Sequence, residues 1–246
     1  MTESIGRGES STQNETTVTS SMCLVGRRAV TILAALDLFG TLAFAISGAF
    51  RAVKHELDWL GLAVLAVCTG VGGGIVRDVL LGATPPSALR DETYLIVCLA
   101  GGGLALLGKN RIARHWDLVM LADAFGLGVF AAIGAASTEA RHGGPLTITF
   151  MAAITATGGG VIRDLLVREI PAVLRSDFYA TAALLGGALY WAMGFVAVSL
   201  PLRLAVVIGA TTAMRLLAMR HKMQLPKVKS LPDSPSMLTR KRRGLG

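Results

Sequence analysis

Two short stretches of the chain place charge where a membrane-forming sequence tolerates it least. Gly72, Gly73 and Gly74 are followed three residues later by Arg77 and Asp78, and Gly158, Gly159 and Gly160 by Arg163 and Asp164, each set inside a long apolar run. A charge at the centre of a bilayer costs about 2.5–3.5 kcal/mol on insertion scales, so such residues are normally paired, face water or reach for the headgroups. Asp37 and Asp123, early in two other apolar runs, are the carboxylates that could neutralise Arg77 and Arg163. Consecutive helical residues lie about 100° apart and do not face each other. That argues for ion pairs between helices rather than within Arg77–Asp78 or Arg163–Asp164. Three glycines in a row destabilise a helix by about 1 kcal/mol each relative to alanine, so each triplet is expected to interrupt its helix and expose carbonyls to a passage. Two other uses of these residues stay open: close packing through small residues, and snorkelling of each arginine toward the lipid surface about 6 Å away.

The elements that must carry these residues are legible from composition. With 52% hydrophobic and only 16% charged residues and a mean hydropathy of +0.58, the chain is too apolar for an ordinary soluble domain. Its apolar runs lack the alternation of outer-membrane strands. The expected fold is therefore an all-α integral membrane protein with seven transmembrane helices. The runs are Ala29 to Phe50, Trp59 to Leu81, Thr93 to Gly108, Leu118 to Thr138, Leu146 to Val167, Phe178 to Val198 and Pro201 to Met219, the third being short for the roughly 20 residues a span needs. With Arg77 and Arg163 set aside as intramembrane, Lys and Arg number sixteen on the side that carries the C-terminus and six on the other. This places the tail in the cytoplasm and the N-terminus outside.

The net charge of +8 is confined to residues 215–246, so it gives no support to nucleic-acid binding. Arg240 to Arg243, with Lys227 and Lys229, instead read as an orientation signal drawn to anionic lipid. Residues 1–28 open with ten Ser/Thr before position 22 and are expected to be disordered. Comparing the chain with itself at an offset of 86 gives 15 identities in the 42 positions from Asp37 to Asp78 against Asp123 to Asp164, well above the roughly 6–8% expected by chance for such a composition. At an offset of 85 the match continues, pairing Tyr94 with Tyr179 and Arg90 with Arg175. The expected organisation is repeat 1 over 29–110, repeat 2 over 115–198, a seventh helix over 201–219 and a basic cytoplasmic tail over 220–246. Three crossings per repeat, an odd number, invert the second copy relative to the first, as in transport proteins.

No nucleophile elbow, phosphate loop or zinc motif is present, and His55, His115, His142 and His221 fall in separate connections or the tail. Cys23, Cys68 and Cys98 form no metal or disulfide pattern. The sequence therefore predicts neither an enzyme nor a bound cofactor or metal.

The segments TGVGGGIVRDVLLG (Thr69 to Gly82) and TATGGGVIRDLLVREIP (Thr155 to Pro171) resemble the prokaryotic branch of the trimeric intracellular cation (TRIC) channel family, sequences also grouped as a bacterial glycine-transporter domain family. The resemblance covers about Leu33 to Met219. It implies a homotrimer of the bacterial cytoplasmic membrane with one pore per subunit, conducting monovalent cations such as K⁺ and Na⁺. On this chain the pore and gate would map onto Gly72, Gly73, Gly74, Arg77 and Asp78 and onto Gly158, Gly159, Gly160, Arg163 and Asp164. A secondary transporter of glycine or a similarly small solute, its carboxylate held by Arg77 or Arg163, is the rival reading. In the second copy Arg168 stands where the first has Gly82, which adds a positive charge near the inner mouth.

Overall fold

The structure is a computed structural model that describes the backbone of residues 9–112, 116–175, 178–196 and 198–221, and the side chains of 30–108, 120–174, 178–196 and 198–221. Within these residues the chain is helical: α1 (Glu9–Lys54), α2 (Trp59–Leu80), α3 (Ser87–Arg90), α4 (Thr93–Ile112), α5 (Trp116–Glu139), α6 (Pro145–Leu166), α7 (Ala172–Arg175), α8 (Ala180–Ala192) and α9 (Leu200–Arg220). Five segments are long and apolar enough to cross a membrane: Val30–Lys54, Trp59–Leu80, Met120–Glu139, Pro145–Leu166 and Leu200–Arg220. The other two expected spans are shorter apolar helices, Thr93–Gly108 and Ala180–Phe195, each about 24 Å long at 1.5 Å per residue. The sixth run thus stops short of Val198, because the helix tightens to a 3₁₀ turn at Met193–Phe195 and Val196 is extended.

Two further differences concern the chain's start and its connections. The first helix is assigned from Glu9, inside the segment expected to be disordered. Once a helix is nucleated, each added residue contributes a hydrogen bond, and the apolar run supplies the nucleus. The short helices α3 and α7 were absent from the sequence expectation. Lys227, Lys229 and Arg240 to Arg243 lie outside the described residues.

The sequence match between the two halves has counterparts in the backbone. The helices α2 and α6 are both 22 residues long and start 86 residues apart. Glu56 and His142, also 86 apart, both have positive φ, 54° and 58°. Gly82 and Arg168 follow suit at 71° and 57°, so Arg168 holds the left-handed turn that glycine holds in the first copy, a conformation uncommon for a residue with a side chain. The side chain of Asp58 caps α2 through the Gly61 N–H, whereas α6 starts on Pro145, whose missing N–H is no loss in a first turn.

Packing explains the glycine triplets in a way the sequence reading did not anticipate. Both α2 and α6 run unbroken through their glycines; neither triplet interrupts its helix. A Cβ on Gly73 would strike the Thr155 carbonyl oxygen, and a Cβ on Gly159 would strike that of Thr69. Here the missing side chains let two helix backbones touch, and that contact outweighs the low helix propensity of glycine. Beside this crossing, α1 packs on α5 through stacked Phe44 and Phe130, with ring centroids 5.3 Å apart. Gly126 and Gly40 leave the room for these two rings. One core gathers around Phe130, Leu127 and Ala152, and a second joins Ala45, Leu65, Ala66 and Cys98.

Gly73→Ala is expected to lower unfolding stability in detergent by about 1–3 kcal/mol through overpacking. Gly74→Ala, whose Cβ would meet only the Arg77 guanidinium at 3.8 Å, should melt at or slightly above the parent temperature. Equal losses would mean that the close approach at Gly73 does not constrain the fold.

Candidate functional site

The four charges that opened the sequence reading come together in two clusters. In the first half, Arg77 on α2 donates from Nη1 to Asp37 Oδ1 at 3.3 Å and from Nη2 to Asp37 Oδ2 at 3.1 Å. Its Nε donates to Asp78 Oδ1 at 2.8 Å. The Tyr94 hydroxyl on α4 donates to Asp37 Oδ2 at 2.9 Å, and the Ser87 N–H, opening α3, donates to Asp78 Oδ2 at 2.8 Å. All four side chains are buried. A fork of two parallel bonds plus a third carboxylate contact is a strong arrangement for a buried guanidinium.

The second half repeats the plan with altered partners. Arg163 on α6 donates from Nη1 to Asp123 Oδ1 at 2.6 Å and from Nε to Asp164 Oδ1 at 2.9 Å. The Ala172 N–H, opening α7, holds Asp164 Oδ2 at 2.8 Å, matching Ser87. Ser47, which comes from α1 of the first half, accepts from Arg163 Nη1 at 2.6 Å and donates to Asp123 Oδ1 at 3.2 Å. Arg51, one turn further along α1, reaches Asp164 Oδ1 at 3.4 Å. Gly160 leaves space beside this cluster, since its Cβ would lie 3.7 Å from Arg163 Nη2 and 2.7 Å from the Tyr179 hydroxyl.

One expectation needs correcting. The adjacent residues Arg77 and Asp78, and likewise Arg163 and Asp164, do meet. The angular argument concerns where the Cβ atoms point, but an arginine can fold its stem along the helix and present Nε to the next carboxylate. That carboxylate is in turn fixed by a backbone N–H of α3 or α7. Neither arginine snorkels: each is 4% exposed and ends on protein carboxylates.

The two clusters differ in the space around them. The first encloses about 10 Å³. The second lines a cavity of about 230 Å³ with Ser47, Arg51, Asp123, Arg163, Ala172 and Arg215. The sequence reading counted the charge of Arg215 with that of the tail, although it falls within the expected seventh helix; in α9 it is buried, with its guanidinium 4.8 Å from the centre of the Tyr179 ring. Arg203, counted among the outer connections, is also buried in α9. It donates to both carboxylate oxygens of Glu139 at 3.0 and 2.8 Å and to the Tyr190 carbonyl at 2.7 Å. Tyr94, Ser47, Arg51 and Glu139 were not singled out either. For Tyr94 a signal existed, its match with Tyr179 in the duplication. Ser47, by contrast, faces the copy to which it does not belong.

At the end of α1, Glu169 gathers basic side chains: Arg51 at 3.2 Å, Lys54 at 3.7 Å and His55 Nε2 at 2.9 Å. Burial pulls the Glu169 carboxyl upward, but Arg51, the His55 hydrogen bond and Lys54 outweigh it and hold the group below the ordinary glutamate range. Among the described residues, no group of three or more His, Cys, Asp or Glu is arranged to hold a metal ion.

Residues 34–110 and 120–194 match the family described as Glycine transporter. The UPF0126 inner membrane protein YadS of Escherichia coli strain K12 is 42% identical over 195 residues, which cover 78% of this chain and 93% of that protein. A UPF0126 membrane protein of Vibrio cholerae is 40% identical over 199 residues, 79% of this chain and 82% of the relative. Among solved structures, a TRIC cation channel studied for its conductance aligns with a TM-score of 0.74 and 37% identity over 81% of this chain and 98% of its own. The TRIC trimeric intracellular cation channel orthologue from Rhodobacter sphaeroides gives 0.74 and 34% over 78% and 100%.

Two outcomes are expected of these clusters. Asp37→Asn leaves Arg77 one carboxylate, whereas Arg77→Gln strands two buried carboxylates, so the second change should destabilise more, by about 3–5 kcal/mol. The double variant should lose less than the sum of the two, and a melting-temperature cycle in detergent measures that coupling; additive losses would deny the pair. For Glu169, a depressed carboxyl stabilises the fold above the unfolded-state pKa and loses that contribution as pH falls through the lower folded value. Glu169→Gln should therefore melt below the parent at pH 7, and the gap should close on acidification below the usual carboxylate range.

Proposed function

Since the chain belongs to the family described as Glycine transporter and shares the fold of solved TRIC cation channels, whose members are channels and not enzymes, we propose that it is a passive monovalent-cation channel of the cytoplasmic membrane. It works as a homotrimer with one pore in each subunit and conducts K⁺ and Na⁺. The trimeric relative supports that assembly, and relatives named as inner membrane proteins support the location. The pore runs beside the α2–α6 crossing. Gly72, Gly73, Gly158 and Gly159 hold the two backbones together there, Gly160 leaves room for the Tyr179 hydroxyl, and Arg77–Asp78 and Arg163–Asp164 stand at its two ends.

The observation that carries this reading is the neutralisation of both arginines. An unpaired guanidinium beside the passage would repel cations strongly in a medium of reduced dielectric. Here each has two carboxylates in contact. The layout is two inverted three-helix repeats, α1, α2 and α4 with α5, α6 and α8, plus α9 as the seventh helix. Reciprocal contact supports it: Gly73 lies on the Thr155 carbonyl and Gly159 on that of Thr69, as a two-fold axis between the halves requires. The charge asymmetry supports an external N-terminus and a cytoplasmic tail resting on anionic lipid.

One observation favours a second reading, transport of glycine or a similarly small solute. The cavity of about 230 Å³ carries a carboxylate, Asp123, and guanidinium groups, Arg163 and Arg215, which suits the two charges of a zwitterion. Purified protein in planar bilayers with KCl is expected to give unitary currents that obey the K⁺ gradient, with no uphill uptake of labelled glycine into proteoliposomes. Saturable glycine accumulation without unitary currents would replace the channel by the transporter.

A further inference from the structure

The two short apolar helices occupy corresponding places in the two halves. Thr93–Gly108 and Ala180–Phe195 each measure about 24 Å, whereas the five longer spans run from 20 to 25 residues, or roughly 30–38 Å. The hydrocarbon of an average bilayer is about 30 Å thick. Packed on α1 and α2, α4 leaves Ile96, Leu99 and Leu107 exposed; packed on α5, α6 and α9, α8 leaves Leu185 and Phe195 exposed. Both helices therefore present apolar side chains outward over a height about 6 Å short of an average bilayer. The far end of α8 marks where the apolar layer must stop. At Val196 the backbone leaves the helix and is extended, and non-helical backbone is not tolerated against lipid. Closer in, the Tyr190 hydroxyl donates to Glu139 at 2.8 Å, and the Glu139 side chain is 42% exposed. A carboxylate held open at that level would stand in hydrocarbon if the bilayer kept its full thickness there.

We infer that the bilayer is drawn thin beside α4 and α8, and that the partner these two faces fit is lipid of short acyl chain. A bilayer adapts to a short span by thinning, at a cost that grows with each ångström of mismatch. Lipids with shorter chains remove that cost. Tilting, which accommodates a long helix, only deepens the deficit of a short one. Snorkelling by Lys109 and Arg111 extends the reach of α4 at one end, but α8 has no such means, because no Lys or Arg lies between Ala180 and Leu202. The next arginine, Arg203, is committed to Glu139 and the Tyr190 carbonyl. The inference rests on the membrane layout proposed above, in which both helices cross, and is independent of what the protein conducts.

The test reconstitutes full-length protein in dimyristoleoyl, dioleoyl and dierucoyl phosphatidylcholine, in order of increasing chain length. The melting temperature should fall by several degrees from the first bilayer to the last. Because α4 is already helical to Ile112, the combined change Lys109→Leu, Asn110→Leu and Arg111→Leu lengthens its apolar run by about 6 Å without moving its register on α1 and α2. This variant should narrow the fall roughly by half, since α8 stays short. Arg220→Leu, at the end of a helix long enough to cross, should leave the fall as it is in the parent. A melting temperature that is equal in the three bilayers or rises with chain length overturns the inference, as does an α4 variant that behaves like the parent. Cryo-electron microscopy of the parent in dioleoyl bilayers decides the matter if the α4 variant does not insert: the two headgroup layers should approach each other by about 6 Å beside α4 and α8. Layers that stay parallel there while both helices cross, or neighbouring subunits covering both faces, overturn the inference and leave the layout standing. Either helix lying along the membrane surface overturns the layout itself.

Discussion

A guanidinium inside a helical bundle cannot be left without its counter-charge, and much of this architecture follows from meeting that condition twice. The carboxylates that meet Arg77 come from α1 and from its own helix, and a third helix adds the tyrosine. Three segments distant in sequence are thereby held at one depth and in one register. The glycine crossing is the complement of this requirement. Because α2 and α6 touch backbone to backbone, their arginines project away from the contact toward α1 and α5, where Asp37 and Asp123 wait. The buried ions do not add net stability over a well-packed apolar core; they specify which helices meet and where.

The two halves of the chain carry matching versions of this device, and the difference between them lies in the partners rather than in the frame. The turn that follows α2 at Gly82 and α6 at Arg168 has kept its left-handed backbone although one side chain is absent and the other long. Asp78 and Asp164 keep the same bond to the start of the next short helix. What changed is the third partner. Tyr94 completes the first cluster from within its own repeat, whereas Ser47 and Arg51 complete the second from the other repeat. The same frame can therefore be compact at one end and hold a cavity at the other.

Much of this could be read from residue types. Apolar runs located the long helices, the offset of 86 paired the two clusters, and the expense of a buried charge directed Arg77 to Asp37 and Arg163 to Asp123. The reading went astray where it took a local rule as decisive. Glycine triplets signalled weak helices in isolation, but only the neighbouring helix could show that Gly73 and Gly159 are contact surfaces. Helical spacing set Arg77 apart from Asp78, but side-chain reach brought them together. Residues such as Arg203 and Arg215 looked like loop and tail charges because hydropathy windows do not register a partner far away in sequence, and Ser47 had no local signal at all.

The attachment of α9 bears on how such a chain is made. Arg203 grips Glu139 and the Tyr190 carbonyl, with its guanidinium 3.7 Å over the Tyr190 ring. Its carboxylate partner was synthesised 64 residues earlier, ahead of α6 and α8. While the ribosome is still working on the last helix, Glu139 has no Arg203 to receive. The pair therefore forms only after α9 is made, and it ties the last helix back to α5 and α8. Before then the Tyr190 hydroxyl is the donor that Glu139 can hold, and even in the finished chain the Glu139 side chain keeps 42% of its surface exposed.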